Sequence, residues 1–237
     1  MVSLIPLYLY QGHPLPSPQH LYDYVLAAQG LIKRSDNSHT RVDLLLHRLP
    51  PALELTGLNL QPYPLCGVQL KWPRLPGAIL QELLADARQN LDREFMYLVR
   101  LDPASGRYVI DRPAQQASAV HVGYAASAGS DVLLEIHSHN RMAAFFSPTD
   151  DRDEQGGRYY AVMGRLDQAR PQLALRAGMY GHWAFNVPGE LLFEQIEPFD
   201  DVWAEPAAPR SNPFPEPEGA APDPSWLAKL IPWRRYR

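Results

Sequence analysis

Residues 132–150 read VLLEIHSHNRMAAFFSPTD. The apolar start of this stretch predicts a buried strand, and His137 and His139 lie at its end. Because side chains two positions apart point to the same face of a strand, both imidazoles are expected on one face. Two such nitrogens can bind one zinc ion, Asp150 can supply a third ligand from the following loop, and a water would complete four-coordination. Zinc would lower the pKa of that water to about 7 and so make a nucleophile at neutral pH.

A helix is predicted before this stretch. Residues 76–94 read PGAILQELLADARQNLDRE, and Pro76 suits a first helical turn. The spacings of three and four between apolar residues predict a helix over 77–91 with one buried stripe. The members of this stripe are Ile79, Leu80, Leu83, Leu84, Ala87 and Leu91. A strand is predicted from Phe95 to Leu101, so Glu94 falls between the helix and the strand.

The remaining apolar segments predict strands, and few further helices are indicated. Together with the helix they predict an α/β domain with a mixed sheet. The N-terminal part predicts a first strand in residues 1–12, a β-hairpin with a polar loop at 34–38, and a short strand at 68–72. The other predicted strands are Tyr108–Ile110, Ala119–Tyr124, Val132–His139, Tyr159–Leu166, Leu173–Tyr180, Trp183–Val187 and Leu191–Ile196.

The composition bounds the class of protein. The chain has 237 residues, of which 46% are hydrophobic and 20% charged, and this is typical of a globular protein. A net charge of −4 argues against a general nucleic-acid binder. The single cysteine, Cys66, excludes an internal disulfide framework and a cysteine-built zinc site, and it favours a reducing compartment. No apolar run reaches the roughly 18 residues of a membrane helix, so a cytoplasmic protein without a membrane partner is expected.

Proline divides the chain into three parts. The 24 prolines are frequent at both ends and sparse between them. The predicted organisation is a β-rich N-terminal extension over 1–75, a domain over 76–197, and a proline-rich tail over 198–237. The tail is acidic up to residue 224 and is expected to be an extended linker. It closes on the apolar and basic stretch SWLAKLIPWRRYR.

The spacing of four residue types resembles a known motif. His137, one residue, His139, seven residues, Ser147, two residues and Asp150 reproduce the pattern of the JAMM motif of the MPN/JAB zinc metallopeptidases. The helix followed by Glu94 also stands where that family has its catalytic glutamate. The resemblance implies a three-layer, cytidine-deaminase-like α/β fold. It implies zinc on the two histidines and Asp150, Glu94 as general base, and Ser147 as hydrogen-bond donor to the developing oxyanion.

The resemblance also implies substrates and partners. Members of the family commonly act as deubiquitinase-like isopeptidases that cut after the C-terminal glycine of ubiquitin-like proteins, and bacterial members also process sulfur-carrier proteins. A proline-rich extension before such a domain is similar to the protein A family of the bacterial PRTRC cassette. That plasmid-associated set includes a ThiF-like activating enzyme and a ubiquitin-like partner. The chain departs from the family at Asn140, where proline is frequent, at Tyr97, where glycine is favoured, and in the aromatic pair Phe145 and Phe146.

Several alternatives stay open at this level. Glu135 is a rival general base because it lies two residues before His137 on the same face. Asp151 and Asp153 are interpreted as solvated residues of a first helical turn, and His121 as a structural histidine. The whole domain is alternatively a non-catalytic scaffold that binds a partner protein, or a zinc hydrolase of another amide.

Overall fold

The computed structural model describes residues 5–50, 55, 57–102, 104–113, 115–117, 122–124 and 131–202. All of these residues lie in one compact unit, Met1–Glu205. The predicted boundaries at 75/76 and 197/198 both fall inside this unit and stay predictions.

The N-terminal part forms a five-stranded sheet in the order β1-β2-β3-β4-β5. The first pair is parallel and the other three are antiparallel. Apolar side chains of β4 and β5 pack against the core that also receives the long helix described below. The strands are β1 Leu7–Leu9, β2 Asp23–Ala27, β3 Gly30–Asp36, β4 Thr40–Arg48 and β5 Val68–Leu70.

The predicted hairpin is present, but its first arm is itself a hairpin. The apolar segment 22–33 is split by a turn at Ala28 and Gln29, so that β2 pairs with β3 within it. Gly30 allows this turn because its φ is +145° and a Cβ there would lie 2.0 Å from the carbonyl oxygen of His47. The sequence prediction counted 22–33 as one apolar arm of the hairpin and so missed the turn, although Gln29 and Gly30 interrupt this segment. The polar loop between β3 and β4 is shorter than predicted, since β3 continues to Asp36.

A seven-stranded sheet carries the candidate site. Its order is β13-β12-β11-β10-β6-β7, and β14 pairs with β12. β10 is parallel to β11 and antiparallel to β6, so the sheet is mixed, in agreement with the predicted α/β class. Its strands are β6 Met96–Asp102, β7 Arg107–Asp111, β10 Val132–Ser138, β11 Tyr159–Gly164, β12 Gln172–Gly178, β13 Trp183–Ala184 and β14 Asp200–Asp201. A separate pair is formed by β8 Gln115–Ala117 and β9 Val122–Tyr124.

Helix α1, Gly77–Arg88, covers one face of this sheet. Five residues of the predicted stripe are buried, and Leu91 packs partly buried against the same cluster. The helix ends three residues earlier than predicted, because the N–H groups of Gln89 and Asn90 bond to carbonyls three residues back. The Arg88 side chain donates to the carbonyl of Leu166 (2.8 Å) and so holds this end of the helix on the domain. We call the cluster between α1 and the sheet the main core.

The opposite face of the sheet is covered by the chain that follows β10. Ala144 and Phe146 of that segment pack with Tyr160, Val162 and Ala174 in a smaller cluster. Helix α2, Pro148–Asp153, follows directly. Because β10 alternates between the two faces, Leu134 and Ile136 enter the main core while His137 is turned toward α2.

The end of the domain differs from its prediction. The segment 191–196, predicted as a strand, contains the end of helix α3, Gly189–Leu192, which begins after Pro188. Proline before the first turn favours this helix, and only Phe193 makes a β-bridge, to Leu75. Phe199, at the start of the segment predicted as a tail, is buried in the main core. Residues 203–237 and the predicted His121 lie outside the described residues.

Candidate metal centre

The two histidines lie where β10 leaves the sheet. His137 is on the strand, in register with Val162 of β11 and Met96 of β6. His139 follows the strand, and its backbone N–H donates to the carbonyl of Met163 (2.7 Å). Both residues are buried. The flanking strands therefore fix the two imidazoles before any ligand is bound.

Asn140 turns the chain immediately after His139. Its φ is +51°, in the left-handed region that asparagine tolerates. A proline cannot adopt this conformation, because its ring holds φ near −65°. The backbone conformation at this position therefore excludes the proline that is frequent in the family, and asparagine stands there instead.

Three potential ligand atoms converge behind this turn. The Nε2 atoms of His137 and His139 lie 3.3 Å apart, and His137 Nε2 lies 3.7 Å from Asp150 Oδ1. One ligand atom from each of the three residues lies within 4.8 Å of the others, which is a group that could hold a metal ion. The sequence-predicted ligands His137, His139 and Asp150 are thus brought together.

Asp150 is placed by the first turn of α2. Ser147 is the N-cap, Pro148 is the first helical residue and Asp150 occupies the third position. The N–H of Ser147 donates to Asp150 Oδ2 (2.5 Å), while the N–H of Asp150 donates to Ser147 Oγ (3.3 Å). This reciprocal capping box holds one carboxylate oxygen and turns the other toward His137. Because Ser147 Oγ accepts in this contact, its own proton remains available for donation.

The histidines are held in their neutral form. Burial lowers the pKa of His137 to about 4, against the opposing effect of Asp150. Burial also lowers the pKa of His139. His139 Nδ1 lies 3.1 Å from the carbonyl oxygen of Ala143, so Nδ1 carries the proton and Nε2 presents a lone pair to the group. Orientation of a ring by its second nitrogen is typical of histidines that bind metals.

The carboxylate of the group is ionised. Burial opposes the ionisation of Asp150, but the neighbouring His137 and the hydrogen bonds with Ser147 outweigh burial, so its pKa is lowered. Two neutral nitrogens and one carboxylate are a donor set that zinc accepts in catalytic sites, with a fourth position left open. The residues present therefore fit the group that the sequence motif implies.

Glu94 lies two residues before β6, near enough to these residues for the charge of Asp150 to act on it. Its side chain is 3% exposed, and Oε1 has no hydrogen-bond partner among the described residues. Burial, followed by the charge of Asp150, raises the pKa of Glu94 to about 7. A buried, unpartnered carboxyl with a pKa near neutrality can both accept and return a proton. This is the property required of the predicted general base.

Ser138 fixes the backbone next to Glu94, a role that the sequence did not reveal. Its Oγ accepts from the N–H of Phe95 (2.9 Å), and its own N–H donates to the carbonyl of Phe95 (2.9 Å). Ser138 Oγ in turn donates to Asn140 Oδ1 (3.2 Å). The middle residue of the His-x-His pattern thus ties the strand of the histidines to the residue after the glutamate.

Glu135, the rival base, is engaged elsewhere. Its Oε1 accepts from Arg158 at 2.6 Å, in an ion pair between largely buried side chains. The negative charge of Asp150 helps to raise the pKa of Glu94, whereas the carboxylate of Glu135 is paired with Arg158. The geometry therefore favours Glu94. Tyr97, the other departure from the family, points to the opposite face, where its hydroxyl donates to Asp86 (2.8 Å).

Arg176 supports the helix that carries Asp150. This arginine of β12 is fully buried and pairs with Asp151 Oδ1 and Glu154 Oε2, each at 2.6 Å. Its guanidinium lies 4.0 Å from the ring centroid of Phe146. The interpretation of Asp151 as a solvated residue is wrong, because Arg176 reaches it from the sheet. Asp153 is exposed as predicted, but it is the last residue of α2 and does not belong to its first turn. An arginine inside the apolar strand QLALRAG was the available signal, since a buried charge needs a partner.

Comparison with known proteins supports the resemblance. Residues 76–177 match the family model of prokaryotic homologs of the JAB domain. This range includes Glu94, both histidines, Ser147 and Asp150, and it supports the JAB/MPN family for this part of the chain. No curated protein matches the chain. Within the described residues, no helix is long and apolar enough to cross a membrane.

Proposed function

We propose that the JAB-like region is a zinc-dependent hydrolase of amide bonds, a peptidase or isopeptidase of the JAMM type. The observation that carries the proposal is the convergence of two neutral imidazoles and an ionised carboxylate within 4.8 Å, next to a buried glutamate with an unpartnered oxygen. A protein that acts only as a scaffold needs none of these features. Because burying charged groups costs stability, their presence here favours a hydrolase over a scaffold.

The roles of the side chains follow from their chemistry. His137, His139 and Asp150 would hold zinc, which would lower the pKa of a water to about 7 and polarise the amide carbonyl. Glu94 would accept one proton from the attacking water and pass it to the leaving nitrogen, so that one water and one amide give a carboxylic acid and an amine. The free proton of Ser147 would be donated to the carbonyl oxygen as negative charge develops there.

The proposed substrate is the C-terminal tail of a ubiquitin-like or sulfur-carrier protein joined to another group. This part rests on the family alone, together with the proposals of a ThiF-like activating enzyme as partner, a PRTRC-type setting and a cytoplasmic location. The three-layer, cytidine-deaminase-like arrangement is likewise proposed from the family. The mixed sheet with α1 on one face and α2 on the other is consistent with it.

The test begins with metal content. Protein purified without chelators is expected to contain about one zinc per chain by elemental mass spectrometry, and His137→Ala is expected to contain little. Glu94→Gln should keep the zinc and lose about 10²–10⁴-fold in turnover, the usual share of a general base. The substrate would be a linear fusion of a ubiquitin-like protein through its terminal glycine to a reporter, with short peptides in parallel.

Glu135→Gln is the matched control for the base. It removes a carboxylate on the same face but leaves Glu94 in place, so its turnover should exceed that of Glu94→Gln by at least tenfold. If Glu94→Gln cleaves normally, the mechanism is wrong. If the wild-type protein binds no zinc even when zinc is added, the scaffold function replaces the hydrolase.

A further inference from the structure

The loop 141–146 borders the metal group and is held rigidly by its backbone. The carbonyl of Met142 accepts from the N–H of Arg165 (2.6 Å). The N–H of Ala144 donates to Gln172 Oε1 (3.2 Å). The loop is thereby fixed to the end of β11 and to the start of β12, so its side chains have defined directions.

The loop also packs closely on β11, and this divides its side chains into two sets. A Cβ at Gly164 would lie 2.2 Å from the nitrogen of Ala144, so only glycine permits this approach. Ala144 and Phe146 are buried beneath the loop. Met142 and Phe145 are instead 39% and 44% exposed. Phe146 already anchors the loop in the smaller cluster. The ring of Phe145 is therefore not required to pack the loop.

Phe145 lies directly against a proposed metal ligand. Its ring and that of His139 make an edge contact with centroids 4.6 Å apart. Ser147, the proposed oxyanion donor, is only two residues further along the chain. A group that covers Phe145 is therefore brought next to the reacting centre.

We propose that Met142 and Phe145 form the contact surface for a large apolar side chain, such as leucine or phenylalanine, of a polypeptide substrate near its scissile bond. The inference rests on the proposed function and narrows its substrate class. Large exposed apolar side chains on a rigid loop gain from being covered, and the contact of the Phe145 ring with His139 makes the surface continuous with the proposed catalytic centre. An apolar segment of substrate covers them without breaking any hydrogen bond of the loop.

The test uses zinc-loaded protein and a peptide library. Positions on both sides of the cleaved bond are varied among alanine, glutamate, leucine and phenylalanine, and products are identified by mass spectrometry. Leucine and phenylalanine peptides are expected to exceed alanine peptides in kcat/KM by about tenfold or more. Phe145→Ser should remove most of this preference, and Met142→Ser part of it. Val109→Ser, on β7 and 45% exposed in the wild type, is the matched control and should keep it.

The outcomes separate this inference from the proposed function. Cleavage with the same preference in Phe145→Ser overturns the contact surface and leaves the hydrolase standing. If nothing is cleaved, binding of fluorescein-labelled leucine and alanine peptides to zinc-loaded Glu94→Gln is measured by anisotropy. Tighter binding of the leucine peptide that Phe145→Ser abolishes supports the surface, and equal binding overturns it. Self-association that Phe145→Ser abolishes, without a change in peptide binding, overturns it in favour of a second copy.

Discussion

The two faces of β10 differ in chemistry although all seven of its residues are buried. Leu134 and Ile136 enter the main core beneath α1. Glu135 and His137 face a layer of charged groups that includes Arg158 and Asp150. The first face stabilises the fold by removing apolar surface from water. On the second face each buried charge requires a partner. This face supplies the groups that could bind a ligand, and a single substitution that removes one partner destabilises the fold.

The largest expected effect is on the charged face. Arg176→Met leaves Asp151 and Glu154 buried without their cation, which costs about 3–5 kcal/mol in the free energy of unfolding. Because α2 loses its attachment to β12, zinc affinity should fall as well. Urea unfolding and zinc titration measure the two effects. Arg170→Met, which breaks the exposed pair with Asp200, should change the free energy of unfolding very little, because solvent screens that pair. Equal losses in both variants would contradict the comparison.

A substitution that creates a cavity beneath α1 should lower the free energy of unfolding without changing zinc binding. Leu83→Ala removes a fully buried side chain of the main core and is expected to cost about 2–5 kcal/mol by urea unfolding. Zinc stoichiometry should be unchanged at temperatures where the variant is folded, because the strands that position the ligands remain paired. Loss of zinc binding in folded Leu83→Ala would show that the two faces are not independent.

Glu94 should make the metal-free protein less stable as the pH rises. Its folded-state pKa is raised from 4.5 to about 7, so between these values the folded chain holds a proton that the unfolded chain has released. The free energy of unfolding therefore falls across this window. Glu94→Gln lacks this loss and should exceed the wild type by up to about 3 kcal/mol at pH 8, with little difference at pH 4.5.

Thermal or urea unfolding of the metal-free proteins across pH 4.5–8 measures this difference. Glu82→Gln, at an exposed position of α1, is the matched control and should show no comparable pH-dependent gain. A Glu94→Gln variant that is no more stable than the wild type at pH 8 would show that the buried carboxyl is not held protonated.

The smallest effect is expected at the helix cap. Ser147→Ala removes the oxygen that accepts from the N–H of Asp150, at a cost of about 1 kcal/mol. Ser147→Thr keeps a hydroxyl and should lie close to the wild type. Zinc affinity should follow the same order, because the capping box orients Asp150. A Ser147→Ala variant with unchanged stability and zinc affinity would show that the capping box does not position Asp150.

Local sequence patterns were enough to predict the α1 residues that line the main core. They also predicted the three residues that could hold a metal ion. The period of α1 identified the residues that now line the main core, because helical periodicity is set by neighbours in sequence. The alternation of β10 placed His137 and His139 together for the same reason. The turn at Ala28 and Gln29 and the replacement of the predicted strand at 191–196 by α3 were missed, although Gly30 and Pro188 are local signals for them.

The sequence by itself determined the types and spacings of the candidate ligands, the glutamate that follows α1, and a mixed α/β sheet. The tertiary structure alone decided that Glu94 and not Glu135 is the unpartnered carboxyl. It also placed Arg176 behind α2 and left Phe145 exposed beside His139. The physical reason is that charges and exposure are set by contacts between strands and loops far apart in the chain. No local pattern records those contacts.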